Sequence, residues 1–461
     1  MNRILILLWI PLLVSCGRKE PGKPNILIIM ADDLGWNQLG CYGGPYHTPH
    51  IDALAATGMR FTNAYSSAAV CSPTRAALMT GKYPARLHLT DFIKGGNFPD
   101  SMLVQPQWHT YLPLEEITLA EVFRENGYRT AIFGKWHLSQ DKKPPASEPY
   151  NPDKQGFDEF MVTYKPVAGI TDPEGDPHNV DSITDRSIRF LEKHGNHLFF
   201  LVVAHNAIHD PAIESRSRIN RYQQTIPDPG YHVEPVIGAM INRLDKGTGR
   251  LLEKLEELGL EENTIILFCS DNGGKEAYAD QKPFRKGKGW LYEGGIRVPL
   301  VARWPGRIDP GTISAAITST MDIYPTMMEL AGLPRVEHPL DGISLAPELL
   351  VEESLEKETP GKETLVEEKL QERMLCWHYP HYHRGSGMKP ASAIRIGRYK
   401  LIEWHEGYLS GEQAWELYDL ETDPGEQHDL SGEQPERLES MIKELHQWRN
   451  ETGAQMPSLK E

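Results

Sequence analysis

The sequence predicts an α/β protein: a large, mostly parallel mixed sheet sandwiched by helices, followed by a smaller C-terminal α+β domain containing an antiparallel sheet. Three observations predict it. Short, continuous apolar runs alternate with segments of helical spacing, the pattern of parallel strands covered on both faces. Each strong run is followed at once by unusual polar residues. Near the carboxyl terminus the pattern changes to two adjacent strand signals and a closing helix, which suits a separate small unit. The chain has 461 residues, 39% of them hydrophobic, which excludes a disordered or fibrous protein. Its 40 glycines and 35 prolines exceed the background of roughly 12% without a collagen period, so long loops are expected. Against 48 Lys and Arg stand 64 Asp and Glu, a net charge of −16. That balance argues against a nucleic-acid partner, and an anionic ligand would need a local basic pocket.

The elements follow in order. Asn2-Arg3 and the 11-residue apolar run Ile4 to Val14 read as an export signal. The run is too short to span a bilayer, which takes about 20 residues. Leu13-Val14-Ser15-Cys16 resembles a bacterial lipobox. The expectation is a signal peptide over 1–15, a lipid on Cys16, a tether over 16–24, and export to the periplasm or cell surface on a membrane anchor. Asn25 to Met30 is a continuous apolar run, a buried parallel strand. Ile51 to Thr57 reads as a helix stopped by Gly58. Cys71 opens another helix, with Ser72 as cap, Pro73 in the first position and an end at Thr80 before Gly81. Thr118 caps Leu119 to Asn126, with Gly127 as the stop. Arg129 to Phe133, Leu198 to Ala204 and Thr264 to Phe268 are further strands, and Val236 to Leu258 is a long helix stopped by Gly259. The Glu-rich stretch 351–373 reads as a solvated insert or linker, which bounds a large domain at 25–350 and a small one at 374–461. In the latter, Ala393 to Ile396 and Tyr399 to Glu403 form a hairpin-like pair, and 435–450 is the final helix.

Chemistry concentrates where these strands end, the usual place for ligands in open α/β sheets. The first strand runs into Asp32-Asp33, the second into Lys135-Trp136-His137, the third into His205 to His209, and the fourth into Asp271-Asn272. Asp32, Asp33, Asp271 and Asn272 offer only oxygen, which suits Ca²⁺ or Mg²⁺ better than Zn²⁺. The same residues with glycine also make ordinary turns. Cys71 sits at a helix amino terminus, where free N–H groups favour an anion and activate a thiol. A buried cysteine beside an ordinary cap has the same pattern. Arg75, Lys135 and Lys288 add cations, and His137 and His209 add titratable groups. Together they look like a site that hydrolyses an anionic ester.

Cys71-Ser72-Pro73-Thr74-Arg75 with Ala76 to Gly81 resembles the C-x-P-x-R signature of type I sulfatases. Gly134-Lys135-Trp136-His137-Leu138, Ala31 to Trp36, Ser270 to Gly274 and Lys286 to Pro299 are similar to the family's other blocks, and the likeness covers about residues 24–345. The resemblance implies an alkaline-phosphatase-like fold. It implies that a maturation enzyme converts Cys71 to formylglycine, whose hydrated gem-diol attacks sulfur. It implies Ca²⁺ on Asp32, Asp33, the modified Cys71, Asp271 and Asn272. Arg75 would orient the modified residue, Lys135 and Lys288 would grip sulfate oxygens, and His137 would help break down the covalent sulfate. His209 would protonate the leaving alcohol; Ile208 stands before it where the family usually has Pro.

A sulfate ester is an anion and repels a nucleophile, so a divalent cation with Lys and Arg suits its hydrolysis. The expected substrate is a sulfated carbohydrate, with galactose-type units as the specific expectation. Trp377 to Gly385 is rich in aromatic and imidazole groups. From it His381 and Arg384, with Trp108 and His109 nearby, are candidates to contact the sugar. A loop that only covers the sheet would have the same composition. Two other readings share the motifs: a phosphonate or phosphodiester hydrolase of the same superfamily, and a catalytically dead, lipid-anchored glycan-binding protein.

Overall fold

A computed structural model describes residues 22–140, 148–166, 175–224, 233–278, 280–350 and 370–461. The expected signal peptide, the lipidated Cys16 and most of the acidic stretch 351–373 lie outside the described residues.

Eight strands form the large sheet: β1 Asn25–Ala31, β2 Met59–Phe61, β3 Arg129–Gly134, β4 Glu159–Val162, β5 Phe199–Ala204, β6 Thr264–Ser270, β7 Leu300–Arg303 and β8 Thr312–Ser314. Their order is β8-β2-β7-β6-β1-β5-β3-β4. Only β7 runs antiparallel to its neighbours; the other pairs are parallel. The central strands β1, β5 and β6 are buried along their whole length, which is why their sequences are continuously apolar. Alternation of side chains across the sheet divides their residues between two cores. Ile26, Ile28 and Met30 face helices α2 (Cys71–Thr80) and α3 (Leu119–Glu125). Leu27, Ile29 and Ala31 face α1 (Pro49–Ala56), α4 (Val180–His194) and α5 (Pro235–Glu257). The large sheet is thus mostly parallel, mixed at β7, and covered by helices on both faces, as the sequence predicts.

Two local features test the reading of helix starts. Thr118 caps α3 through a reciprocal capping box with Glu121. Ser72 does not cap α2. The helix begins two residues earlier, at Cys71, with Val70 in the cap position. Ser72 Oγ instead accepts a hydrogen bond from the Ile93 amide, so its hydroxyl serves a neighbouring loop rather than its own helix end.

Four antiparallel strands follow in sequence order: β9 Met374–Tyr379, β10 Ala391–Ile396, β11 Tyr399–Trp404 and β12 Trp415–Asp419. Helix α6 (Pro435–Thr452) packs on them through Met441, Leu445 and Trp448. This core also takes in Tyr65, Val70, Ala77, Leu291 and Ile296 of the large unit, so the small sheet seats against the back of α2. A buried charge cluster fastens the seam. Lys400 Nζ lies 3.0 Å from Glu293 and 2.8 Å from Glu426, with all three side chains fully enclosed. Cys41, Cys71, Cys269 and Cys376 are all free thiols.

Candidate active site

The strand register gathers the expected residues. Ala31 of β1 pairs with Ser270 of β6, Met30 with Ala204 of β5, and Gly134 of β3 with Ala204. The next residues of these parallel strands therefore emerge at one rim. Backbone bonds hold the emerging turns together: Asp32 N donates to Ala207 O and Lys135 N to Ala204 O, both at 2.8 Å. Asp33 and His137 adopt left-handed backbone (φ 63° and 58°), which turns each chain sharply away from the sheet. Lys288 arrives on a glycine-rich loop. A side chain on Gly295 would put its Cβ 2.0 Å from Trp290 O, so only glycine permits the loop's close folding.

The charged groups interlock. Arg75 donates through Nε and Nη2 to Asp271 Oδ2, at 2.9 and 2.7 Å, and through Nη1 to Lys135 O at 2.8 Å. Lys135 Nζ lies 2.8 Å from both oxygens of Asp32. Lys288 Nζ lies 2.6 Å from Asp33 Oδ1 and 3.4 Å from Cys71 Sγ, which is itself 3.9 Å from Asp32 Oδ1. Asp33 N donates to Asp271 Oδ1, and Asn272 Nδ2 donates to Asp33 Oδ1. Three buried acids thus face three cations. Burial pushes the Asp32 carboxyl up to about 7 despite Lys135, with Asp271 and Asp33 adding repulsion. Burial also opposes ionisation of Asp33, but Lys288, His209 and Lys135 outweigh it and hold that carboxyl well below the usual range.

The two histidines are set by carbonyls. His137 Nε2 lies 2.7 Å from Ile93 O and must carry the proton, which leaves Nδ1 as a buried lone pair without a partner in the protein. Burial and the nearby Lys135 push its pKa well down. His209 Nδ1 donates to Asp210 O at 2.7 Å, so its Nε2 is the exchangeable position, 3.9 Å from Asp33 Oδ2. Burial and Lys288 lower its pKa as well.

The residues fit a hard divalent cation on two observations. Ligand atoms of Asp32, Asp33, Cys71 and His209 lie within 4.8 Å of one another. Asn272 Oδ1 is fully buried with no hydrogen-bond partner, an oxygen placed as a ligand would be. His209 joins this grouping beside the expected acids, and Asp271 adjoins it, with Oδ1 accepting from Asp33 N and Oδ2 from Arg75.

Cys71, Asp33, His137, His209 and Lys288 open onto a cleft of about 230 Å³. Its other walls come from Phe92, Tyr164, Lys165, Lys275 and His383, among others.

The family described as Sulfatase matches residues 24–333, two thirds of the chain. The chain belongs to the sulfatase family. The family described as N-sulphoglucosamine sulphohydrolase, C-terminal, matches residues 284–454. Human arylsulfatase A is 31% identical, over 93% of this chain and 88% of that protein. Dog N-acetylgalactosamine-6-sulfatase is 32% identical, over 76% and 70%. The solved structure of Ps i-CgsB in complex with k-i-k-neocarrahexaose superposes with a TM-score of 0.74 at 28% identity, over 92% of both chains.

This sulfatase is therefore a sulfuric ester hydrolase, and its family motifs are the ones that meet at the rim. One expected substrate contact, His381, is corrected by the fold. His381 is fully buried, held by Thr90 Oγ1 at 2.7 Å and Gln105 Oε1 at 2.9 Å, and does not line the cleft. Trp108 packs on that ring. Arg384 is exposed, near Asn97 O and the Phe98 ring. His383, two residues on from His381, is the imidazole that reaches the cleft. Sequence reading placed His383 in the candidate segment without singling it out, and missed Lys165. For Lys165 the available signal was β4, whose end meets the same rim. That strand is short and only half-buried, so no continuous apolar run announces it.

Proposed function

We propose that this sulfatase removes sulfate from a sulfated carbohydrate of galactose type, with Cys71 matured to formylglycine as nucleophile and Ca²⁺ as the metal. The observation that carries this reading is the meeting of Cys71 Sγ with Lys288 Nζ and Asp32 in one buried, cation-rich rim at a cleft. Asp32, Asp33, the matured Cys71, Asp271 and Asn272 would hold the Ca²⁺. When bound it supplies positive charge that draws in the sulfate and lowers repulsion toward the nucleophile. Lys135 and Lys288 carry the two ammonium groups nearest the Cys71 position and bind sulfate oxygens. Arg75 fixes Asp271 and the helix turn that presents residue 71. His137 Nδ1 accepts a proton during release of sulfate from the enzyme. His209 Nε2 delivers a proton to the departing sugar oxygen, a step worth about 10²–10⁴ in rate for a poor leaving group. The carbohydrate assignment draws support from the named activity of the N-acetylgalactosamine-6-sulfatase relative and from the k-i-k-neocarrahexaose in complex with the structural neighbour. Export with a lipid on Cys16 is part of the same proposal, since a polymeric substrate is met outside the cell.

The test is sulfate release from defined sulfated galactosides by protein co-expressed with a formylglycine-generating maturation enzyme, with mass spectrometry of the Cys71 peptide. Activity that scales with conversion, is lost to chelator and returns with Ca²⁺ supports the reading. Fully converted, Ca²⁺-loaded protein that cleaves aryl phosphonate esters but no sulfate ester overturns it.

A further inference from the structure

The cleft holds one cation more than a single sulfate group uses. Lys135 and Lys288 both lie on the acids of the rim. Lys275, on the outer wall, is taken by Asp210 at 3.2 Å and lies over the Tyr278 ring. Lys165 also lines the cleft, beside Tyr164 at the end of β4, and is half-buried there. Among the described residues no carboxylate comes within ion-pair distance of it. Burial lowers its pKa, Asp210 partly restores it, and Lys288 and Lys135 repel it further. Asp210 acts on this ammonium only from beyond ion-pair distance, and the cleft is where a closer anion can arrive.

Other lining residues supply what a sugar needs. Phe92 offers an apolar face, with the His383 ring set edge-on to it at 5.6 Å. His383 Nδ1 is engaged by Ser386 Oγ at 2.8 Å, which orients the ring. At about 230 Å³ the cleft is below the 300–1,000 Å³ typical of drug-sized ligands, so it takes about one sugar unit with its sulfate.

We propose that Lys165 is a specificity-determining residue that binds a second anionic group of the substrate, a sulfate ester or a carboxylate, while the rim holds the sulfate that is cleaved. The preferred substrate is therefore a multiply charged glycan rather than a singly sulfated sugar. This rests on the sulfatase reading above and narrows its substrate class.

The experiment compares kcat/KM for matched oligosaccharides that carry the scissile sulfate alone, with a second sulfate, or with a neighbouring uronate, the last also as its neutral methyl ester. Wild type, Lys165→Met and Lys165→Arg are run side by side in formylglycine-matured form. Wild type should prefer at least one dianionic substrate, and Lys165→Met should reduce that preference by at least about tenfold. Lys165→Arg should retain most of it. Whichever arm collapses, sulfate or uronate, names the group. A preference that survives Lys165→Met unchanged, or a wild type with no preference, overturns the proposal while leaving the sulfatase reading intact. A wild type that releases sulfate from none of them is the separate failure of that reading.

Discussion

Two regions of this molecule bury several charges together, and they treat them differently. At the seam between the sheets, Glu293 and Glu426 close on one lysine, Lys400, with no opening to solvent. Two acids sharing one ammonium separate in acidity. Burial opposes ionisation of Glu293, but Lys400, Arg297 and Arg395 outweigh it and hold it at about 2. Burial pushes Glu426 up to about 7 against Lys400, with Glu293 adding repulsion. At the rim, acids and cations are matched in number, yet Asn272 Oδ1 and His137 Nδ1 have no partner, and the cluster opens to a cleft. The seam spends its charges on holding the fold. The rim sets its unpartnered atoms beside an opening, where a ligand can reach them.

The largest effect that would break this comparison lies at the rim. Cys71→Ala should lower sulfate-ester hydrolysis by at least about 10³-fold. Its thermal unfolding should stay within a few degrees of wild type. A variant that keeps a tenth of the activity would remove Cys71 from the chemistry.

The seam should respond in the opposite way. Lys400→Met leaves the buried Glu426 without its cation and takes one of several from Glu293, and should cost about 3–5 kcal/mol in denaturant unfolding. The folded fraction should turn over substrate at close to the wild-type rate at low temperature. Equal losses of rate and stability would show that the two clusters are coupled.

A smaller effect sharpens the seam further. Because Glu426 titrates higher in the folded chain than unfolded, its contribution to stability is present below about pH 4.5 and is lost as pH rises through about 7. Glu426→Gln should therefore gain on wild type in unfolding midpoint between pH 5 and pH 8. Parallel midpoints across that range would refute the upward shift of Glu426.

The smallest effect separates two neighbouring imidazoles. His383→Ala should weaken glycan turnover several-fold through KM. His381→Ala should leave substrate KM alone and cost about 1–3 kcal/mol of stability by stranding Thr90 and Gln105. Steady-state kinetics with thermal unfolding of both variants decides the assignment; the reverse pattern would restore His381 as the sugar contact.

Much of the rim was legible because its residues sit directly after the strongest apolar runs. Asp32 follows β1, Lys135 follows β3 and Asp271 follows β6. A strand buried on both faces leaves an unmistakable run, and parallel topology fixes which end carries the site. His381 and His383 lie past the end of β9, where strand alternation no longer governs side-chain direction. Lys165 follows a short strand at the sheet's edge, where burial leaves little trace in the sequence.

By itself, the sequence determined the alternating architecture and which polar residues stand at the ends of its strands, because those depend on local runs and contiguous motifs. Only the tertiary structure decided that Arg75 takes Asp271, that His209 joins the acids, and that Lys165 rather than Arg384 reaches the cleft. Those outcomes depend on distances between residues far apart in the chain, and such distances exist only after the sheet has closed its register.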